Sequence, residues 1–507
     1  MKKITTLLAV ALLALQGQAK VYNGQLTVSV NGVSTEQSQP ITIEESNNAY
    51  SLSINDFKLL SGADTMYIGN IVVQNLANNG TATVKEVSAS QNITITSGSD
   101  ATKTWVGPYL GEVPINMTAL FSDSVLRATI NINMTSLGQV IKVSFLSDGV
   151  QMPNGGFEYW HTSGSGTEPN SWHSFTSATG TSYLISLAGV HVKQSSEVRP
   201  GTEGTSSAVV YSSSIFGIIA NGTMTTGRLN CGSATATDVS NHSFLDMSKT
   251  DKDGNGDPFY TSLTGMPDSI NVWVKFKQQK ANSSYPYATI SAAITDGTYY
   301  QDPADQTYSN VVATAQDAMI ETNNNAWQNI SIPFEYKGID ADPKAILITA
   351  STNATPGKGG GVDSLYVDDI KFVYNCEPMA LLFRENKIDD FNPAVTSYSI
   401  TDQGEVTADD FDCGVVGQIC DYDVKEVSSN GVNKSYVATI TSYAGDLSSK
   451  KVYTVTVTST TGVEEINDNA REISEIYNIQ GVKVNNMEKG NIYVVRYNDG
   501  TATKVVK

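Results

Sequence analysis

The feature that most constrains the fold is a period-two alternation of apolar and polar residues that restarts repeatedly along the chain, each run cut short by a polar turn. Gln25-Leu26-Thr27-Val28-Ser29-Val30 leads into Asn31-Gly32, and further runs span Thr42 to Glu45, Tyr50 to Ile54, Ile68 to Leu76, Thr83 to Val87, Ile93 to Thr96, Leu126 to Ile132 and Val140 to Leu146. Successive side chains of a strand point to opposite faces, so each run can bury one face and wet the other. Many short strands with polar turns between them predict an antiparallel barrel or sandwich over 20–148. Composition points the same way. Only 16% of residues are charged, while Ser, Thr, Asn and Gly are abundant, a mixture that disfavours helices and supplies strands and turns. A chain of 507 residues is too long for one core, so an all-β protein of several domains is expected.

The first residues carry a different signal. Lys2 and Lys3 precede an apolar run from Leu7 to Leu15, and Gln16-Gly17-Gln18-Ala19 places small residues at the positions a signal peptidase reads. Residues 1–19 therefore read as a signal peptide, cleaved after Ala19. The apolar run falls well short of the roughly 20 residues a membrane span needs. No other stretch approaches that length, so the expected location is the cell surface or the extracellular medium. The net charge of −19 argues against nucleic acid and anionic membranes, whose phosphates call for clustered Lys and Arg. Acidity of this kind keeps an exported protein soluble. Cys231, Cys376, Cys413 and Cys420 allow three pairings. None forms a C-x-x-C pair, so zinc-ribbon and thioredoxin-like motifs are lacking. Cys413 and Cys420 are close enough to bridge a β-hairpin in an oxidising compartment, and the state of Cys231 and Cys376 stays open.

Four resemblances divide the mature chain. Tyr22-Asn23-Gly24-Gln25-Leu26-Thr27-Val28, the Tyr50 to Phe57 segment and Ile68-Gly69-Asn70-Ile71 make 20–148 similar to the calycin-like β-barrel domain of secreted bacterial proteins. Such a barrel is either filled by its side chains or holds one small ligand. Residues 149–375 open on Met152 to Trp160 and close on Asp363 to Phe372, with Pro169-Asn170-Ser171-Trp172, Gly256-Asp257-Pro258-Phe259 and Ser269 to Phe276 between them. This stretch resembles the jelly-roll carbohydrate-metabolism domain of surface proteins that accompany glycan-utilisation systems, which implies that its first and last strands are neighbours. The Tyr260 to Pro267 segment departs from that pattern, where a Lys- or Tyr-rich strand is expected. Residues 376–458, with Phe391-Asn392-Pro393 and the strand Val452 to Thr458, are similar to immunoglobulin-like or cadherin-like spacer modules. In 459–507 a polar linker precedes Ile476 to Val484, Gly490-Asn491-Ile492-Tyr493 and a basic end. This tail resembles the C-terminal sorting domain of type IX secretion substrates, which implies the outer-membrane secretion machinery as a partner. Gly481, Gly490 and Tyr493 match its pattern, with Asn491 as an insertion.

Several groups could carry chemistry. Asp251-Lys252-Asp253-Gly254-Asn255-Gly256-Asp257 sets oxygen ligands at alternate positions, as a Ca²⁺ loop does. The twelfth position of an EF-hand is Ser262 rather than Glu, so the loop is either a calcium site completed from elsewhere or an acidic turn. If the bookend strands are neighbours, Glu158 meets Asp368 or Asp369. Related carbohydrate-binding jelly rolls hold a structural calcium at such a cluster, since adjacent carboxylates repel. For sugars the candidates are Tyr159, Trp160, Trp172 and Trp327, because aromatic faces stack on pyranose rings. No H-E-x-x-H or G-x-S-x-G motif occurs, and the four histidines are His161, His173, His191 and His242. The first expectation is a non-catalytic glycan-binding surface protein. A polysaccharide-active enzyme using paired carboxylates and a structural or adhesion protein are the alternatives.

Overall fold

A computed structural model describes residues 19–61, 64–134, 138–215, 217–338, 341–429, 433–460, 472–498 and 500–507. The signal-peptide segment before Ala19 and most of the 459–471 linker lie outside the described residues. The fold is all-β, 55% strand with, among the described residues, one short α-helix at Ser182–Ala188, and most strands pair antiparallel. The chain forms two compact units. Among the described residues, one lies within 1–80, 85–375 and 445–448, the other within 81–84, 376–444 and 449–507.

The N-terminal part of the first unit contains ten strands: β1 (Ala19–Tyr22), β2 (Gly24–Val30), β3 (Val33–Ser38), β4 (Ile41–Ser46), β5 (Ala49–Ser61), β6 (Asp64–Leu76), β7 (Lys85–Thr94), β8 (Glu112–Phe121), β9 (Leu126–Met134) and β10 (Gln139–Ser147). They form a four-stranded sheet, β1-β4-β5-β6, and a six-stranded one, β3-β2-β10-β9-β8-β7. Asn31 and Gly32 both take positive φ, 51° and 90°, the backbone of the tight β2–β3 hairpin that Asn-Gly favours. The alternation settles what lies inside. Leu26, Val28, Ile41, Ile43, Leu52, Ile54, Ile115, Met117, Val143 and Phe145 are buried in one continuous apolar core.

The central part, 149–375, holds two larger antiparallel sheets. The five-stranded sheet runs Val192–Ser195, Ser207–Tyr211, Ser364–Val373, Ser269–Lys277, Gln328–Pro333. The other is built on Ala345–Ser351, Ala288–Thr295 and Val311–Ile320. Along Ser269–Lys277, Ile270, Val272, Val274 and Phe276 are fully buried, so the opposite set, Asn271, Trp273, Lys275 and Lys277, shares the other face. The opening segment runs beside the closing strand: Ile370 N–H donates to Gly155 O (2.9 Å), and Gln151 exchanges two hydrogen bonds with the Phe372 backbone. Gly155 permits this approach, because a Cβ there would run into the Ile370 carbonyl.

In the second unit, Ser397–Gln403, Lys450–Thr460, Asn433–Tyr443 and Ile419–Ser429 form a sheet in that order, the first pair parallel. It packs with Ala380–Phe383 and Phe411–Gly414 around Tyr436, Ile440, Tyr453, Val455 and Val457. The tail folds as its own four-stranded antiparallel sheet of Lys483–Val484, Ile473–Asn478, Ile492–Tyr497 and Ala502–Val506. Gly481 and Gly490 take positive φ, and the buried Tyr493 accepts a hydrogen bond from Glu488 N–H at its hydroxyl.

Candidate functional site

The outward face of the five-stranded sheet gathers rings and charges. Trp273 is the register partner of Asn329 on one side and Asp368 on the other, and Lys275 is opposite Tyr366. Trp273, Trp327 and Tyr366 are all half-buried, with Trp327 and Tyr366 edge to face at 6.2 Å. The Lys275 ammonium sits 4.1 Å from the Tyr366 ring centre and 5.1 Å from that of Trp327. This cation–π seat lies within a side chain that is almost wholly buried. Burial pushes Lys275 below its usual value, against the pull of its ion pair with Glu197. Glu197 is held low by the same lysine and also reaches Lys277 at 3.4 Å.

Next to this cluster a cleft of about 400 Å³ opens between the sheet and the segment Met152–Gly156. Its polar walls are Arg199, Asn271, Asn329, Asp369 and Lys371, and Trp273 is its aromatic wall. Arg199 lies 5.5 Å over the Trp273 ring and donates from Nε to Asp369 (2.5 Å). A ring surface beside several hydrogen-bonding groups at a cleft of this size suits a small polar ligand.

The carboxylates at the bookends do come together. Asp368 is 1% exposed. Burial, reinforced by Asp369 and Glu158, pushes its carboxyl up to about 6. Their partners are donors: Glu158 accepts from Thr205 N, Ser206 N and the Thr205 hydroxyl, while Asp368 accepts from Arg199 N and Asp369 N. Arg199 supplies the positive charge here. Ca²⁺ asks for six to eight oxygens, and this arrangement does not fit one. The acidic loop also fails to converge on a cation. Asn255 and Asp257 bond each other (2.7 and 3.0 Å), Asp257 also accepts from Ser171 N, Asp253 is exposed, and Asp251 is buried, its carboxylate turned inward.

The opening aromatics serve the fold. Trp172 is fully buried against Phe157, ring centres 5.3 Å apart, and so presents no face to a ligand. Trp160 donates from Nε1 to Phe157 O, and the Tyr159 hydroxyl accepts Glu36 N–H from the edge strand β3. Trp327, which the sequence does offer, is on the outward face. Trp273, Tyr366 and Arg199 are not legible as site residues in the sequence. The signal that could find them is the alternation in Ser269–Lys277, which puts Trp273 on the same side as Asn271 and Lys275. Cys413 and Cys420 are free thiols in contact. Their mutual hydrogen bond and burial push Cys413 up, and the same bond holds Cys420 down.

Comparison with known proteins bears on one part of the chain. Residues 19–147 match the calycin-like beta-barrel domain. That match covers the ten-stranded core described above, so the calycin-like barrel is the N-terminal domain of this protein. No curated protein and no solved structure matches the chain.

Proposed function

We propose that this protein is an exported surface protein that binds glycan, without catalysing a reaction, through the outward face of its central five-stranded sheet. The observation that carries this reading is the placement of Trp273, Trp327 and Tyr366 on one face beside a cleft walled by Arg199, Asn271, Asn329, Asp369 and Lys371. Rings of this kind offer apolar area to the C–H surface of a pyranose, and the flanking groups match hydroxyls. The charged leader supports export, and the strand-turn-strand tail with its basic end supports delivery to the outer surface by the outer-membrane secretion machinery.

A glycan array probed with the full chain, covering neutral and acidic polysaccharides, tests it. Binding is expected to a defined subset. Trp273→Ala and Trp327→Ala should each weaken it by roughly 2 kcal/mol, about thirtyfold, the cost of deleting a central aromatic anchor. Binding that both substitutions leave unchanged, or no binding to any glycan, overturns the reading.

A further inference from the structure

Away from the glycan-facing sheet, a second group of side chains converges inside the central module. Strand β11 (Trp160–Ser163) pairs with β12 (Gly166–Pro169), and this register sets His161 directly opposite Glu168. Glu168 is fully buried. Its Oε1 accepts four hydrogen bonds, from Ser174 N (2.6 Å) and from the hydroxyls of Ser174 (2.5 Å), Thr176 (2.6 Å) and Ser177 (3.1 Å). Its Oε2 accepts none. Asp251, 4% exposed, likewise leaves Oδ2 without a hydrogen-bond partner. His161, Glu168 and Asp251 each offer one ligand atom, all within 4.8 Å of one another.

The hydrogen bonds at the two imidazoles fix where their lone pairs point. His161 Nδ1 lies 3.1 Å from Asn170 Oδ1, an acceptor, so Nδ1 carries the hydrogen. In the neutral ring Nε2 then faces Asp251 Oδ2 at 3.4 Å with a lone pair. His173, fully buried, places Nε2 3.1 Å from the Pro258 carbonyl, which can only accept. Its Nδ1 lone pair is 3.9 Å from the unpartnered Glu168 Oε2. Lone pair therefore faces lone pair twice in a buried space, an arrangement that repels unless something positive sits between them. Gly254 keeps that space open, because any side chain there would collide with the Asp251 carboxylate and His161 Nε2.

We propose that His161, Glu168 and Asp251, with His173 as fourth ligand, bind one divalent transition-metal ion of the zinc class. Two imidazoles and two carboxylates are the donor set of such an ion, whereas Ca²⁺ would take oxygens alone. In a tetrahedron with bonds of about 2.0–2.2 Å the ligand atoms stand roughly 3.3–3.6 Å apart. The 3.4 and 3.9 Å separations here are close to that edge, and the ligand atoms of His161, Glu168 and Asp251, within 4.8 Å of one another, would draw together around the ion. Each ligand has an outer partner that orients it: Asn170 for His161, the Pro258 carbonyl for His173, and the Ser174, Thr176 and Ser177 hydroxyls for Glu168. Four protein ligands, Glu168, His173 and Asp251 buried and His161 nearly so, make a closed, structural site. It fastens the β11–β12 hairpin, the segment after it and the Asp251–Asp257 loop to one another.

The test is elemental analysis of the full chain purified without chelator, followed by stripping and titration with Zn²⁺ and Co²⁺. One metal ion per chain is expected, with a fall in melting temperature on stripping, recovery on reloading, and the visible absorption of four-coordinate cobalt. His161→Ala and Asp251→Asn should lose the metal, while His242→Ala, at a histidine remote from the cluster, should keep it. A wild-type chain that is isolated without metal and takes up neither ion after stripping overturns the proposal, whatever the variants do. Stoichiometric metal retained by both His161→Ala and Asp251→Asn overturns it as well.

Discussion

Asp368 makes a quantitative pH prediction. Its carboxyl is 1% exposed and is raised from 3.8 to about 6 by burial and by the neighbouring Asp369 and Glu158. An acid whose folded value lies above its unfolded one contributes stability that is complete below the unfolded value and is lost as pH rises through the folded one. At 1.36 kcal/mol for each tenfold change, the step from 3.8 to about 6 is worth about 3 kcal/mol. Asp368→Asn removes the titration and nearly preserves the shape. The variant should match the wild type within about 1 kcal/mol near about pH 4, where the folded carboxyl is still protonated. Above about pH 7 it should be more stable by about 3 kcal/mol. The assay is urea unfolding followed by tryptophan fluorescence across that range. All five tryptophans, at positions 105, 160, 172, 273 and 327, belong to the first compact unit, so the signal reports on the unit that holds Asp368. Subtracting the two curves cancels every carboxylate the proteins share. A difference that stays flat with pH, or that favours the wild type at high pH, refutes the reasoning.

Other perturbations have equally definite outcomes. Glu197→Gln leaves the Lys275 ammonium buried without its carboxylate; because Glu197 is itself half exposed, the loss should be roughly 1–2 kcal/mol in urea midpoint measurements. Lys275→Met, which removes the buried charge altogether, should be close to neutral in the same experiment. Oxidation of the Cys413 and Cys420 pair closes a short loop worth about 2–3 kcal/mol, so Cys413→Ser should abolish any melting-temperature difference between oxidised and reduced protein. In the calycin-like barrel, Leu26→Ala at a fully buried position should cost about 2–5 kcal/mol, read as a lower midpoint of thermal unfolding.

The strands are largely legible because burial on one face forces alternation, and alternation survives in the sequence. Glu112–Phe121 is harder to read as a strand, although its inward positions Val113, Ile115, Met117 and Ala119 are all buried. Pro114 lies inside it, a residue that normally rules out a central strand. The structure tolerates it because pairing to β9 begins only at Ile115, so Pro114 has a neighbour on one side alone. The site is less legible, since it depends on register and on what lies over a face. Nothing local tells Trp172, in the core, from Trp327, on the outward sheet. His161 and Glu168 are seven positions apart, and only the hairpin register brings them opposite each other. Asp251 reads as part of an acidic loop until its carboxylate is seen to turn inward, away from Asp253, Asn255 and Asp257.

The meeting of the two ends of the central module has a consequence for how such a protein can change. The Tyr374 hydroxyl donates to Val150 O at 2.7 Å, and Gln151 is bonded to Phe372 on both sides of its amide, so the chain enters and leaves the module at nearly one point. A segment of over two hundred residues therefore adds almost nothing to the distance the backbone covers from the module's entry to its exit. Its outward sheet can be enlarged, trimmed or replaced wholesale by recombination at residues near 150 and 374, and the flanking chain would register no change in span. Whatever such a module presents on that sheet is an exchangeable part, inherited or acquired independently of the scaffold that carries it.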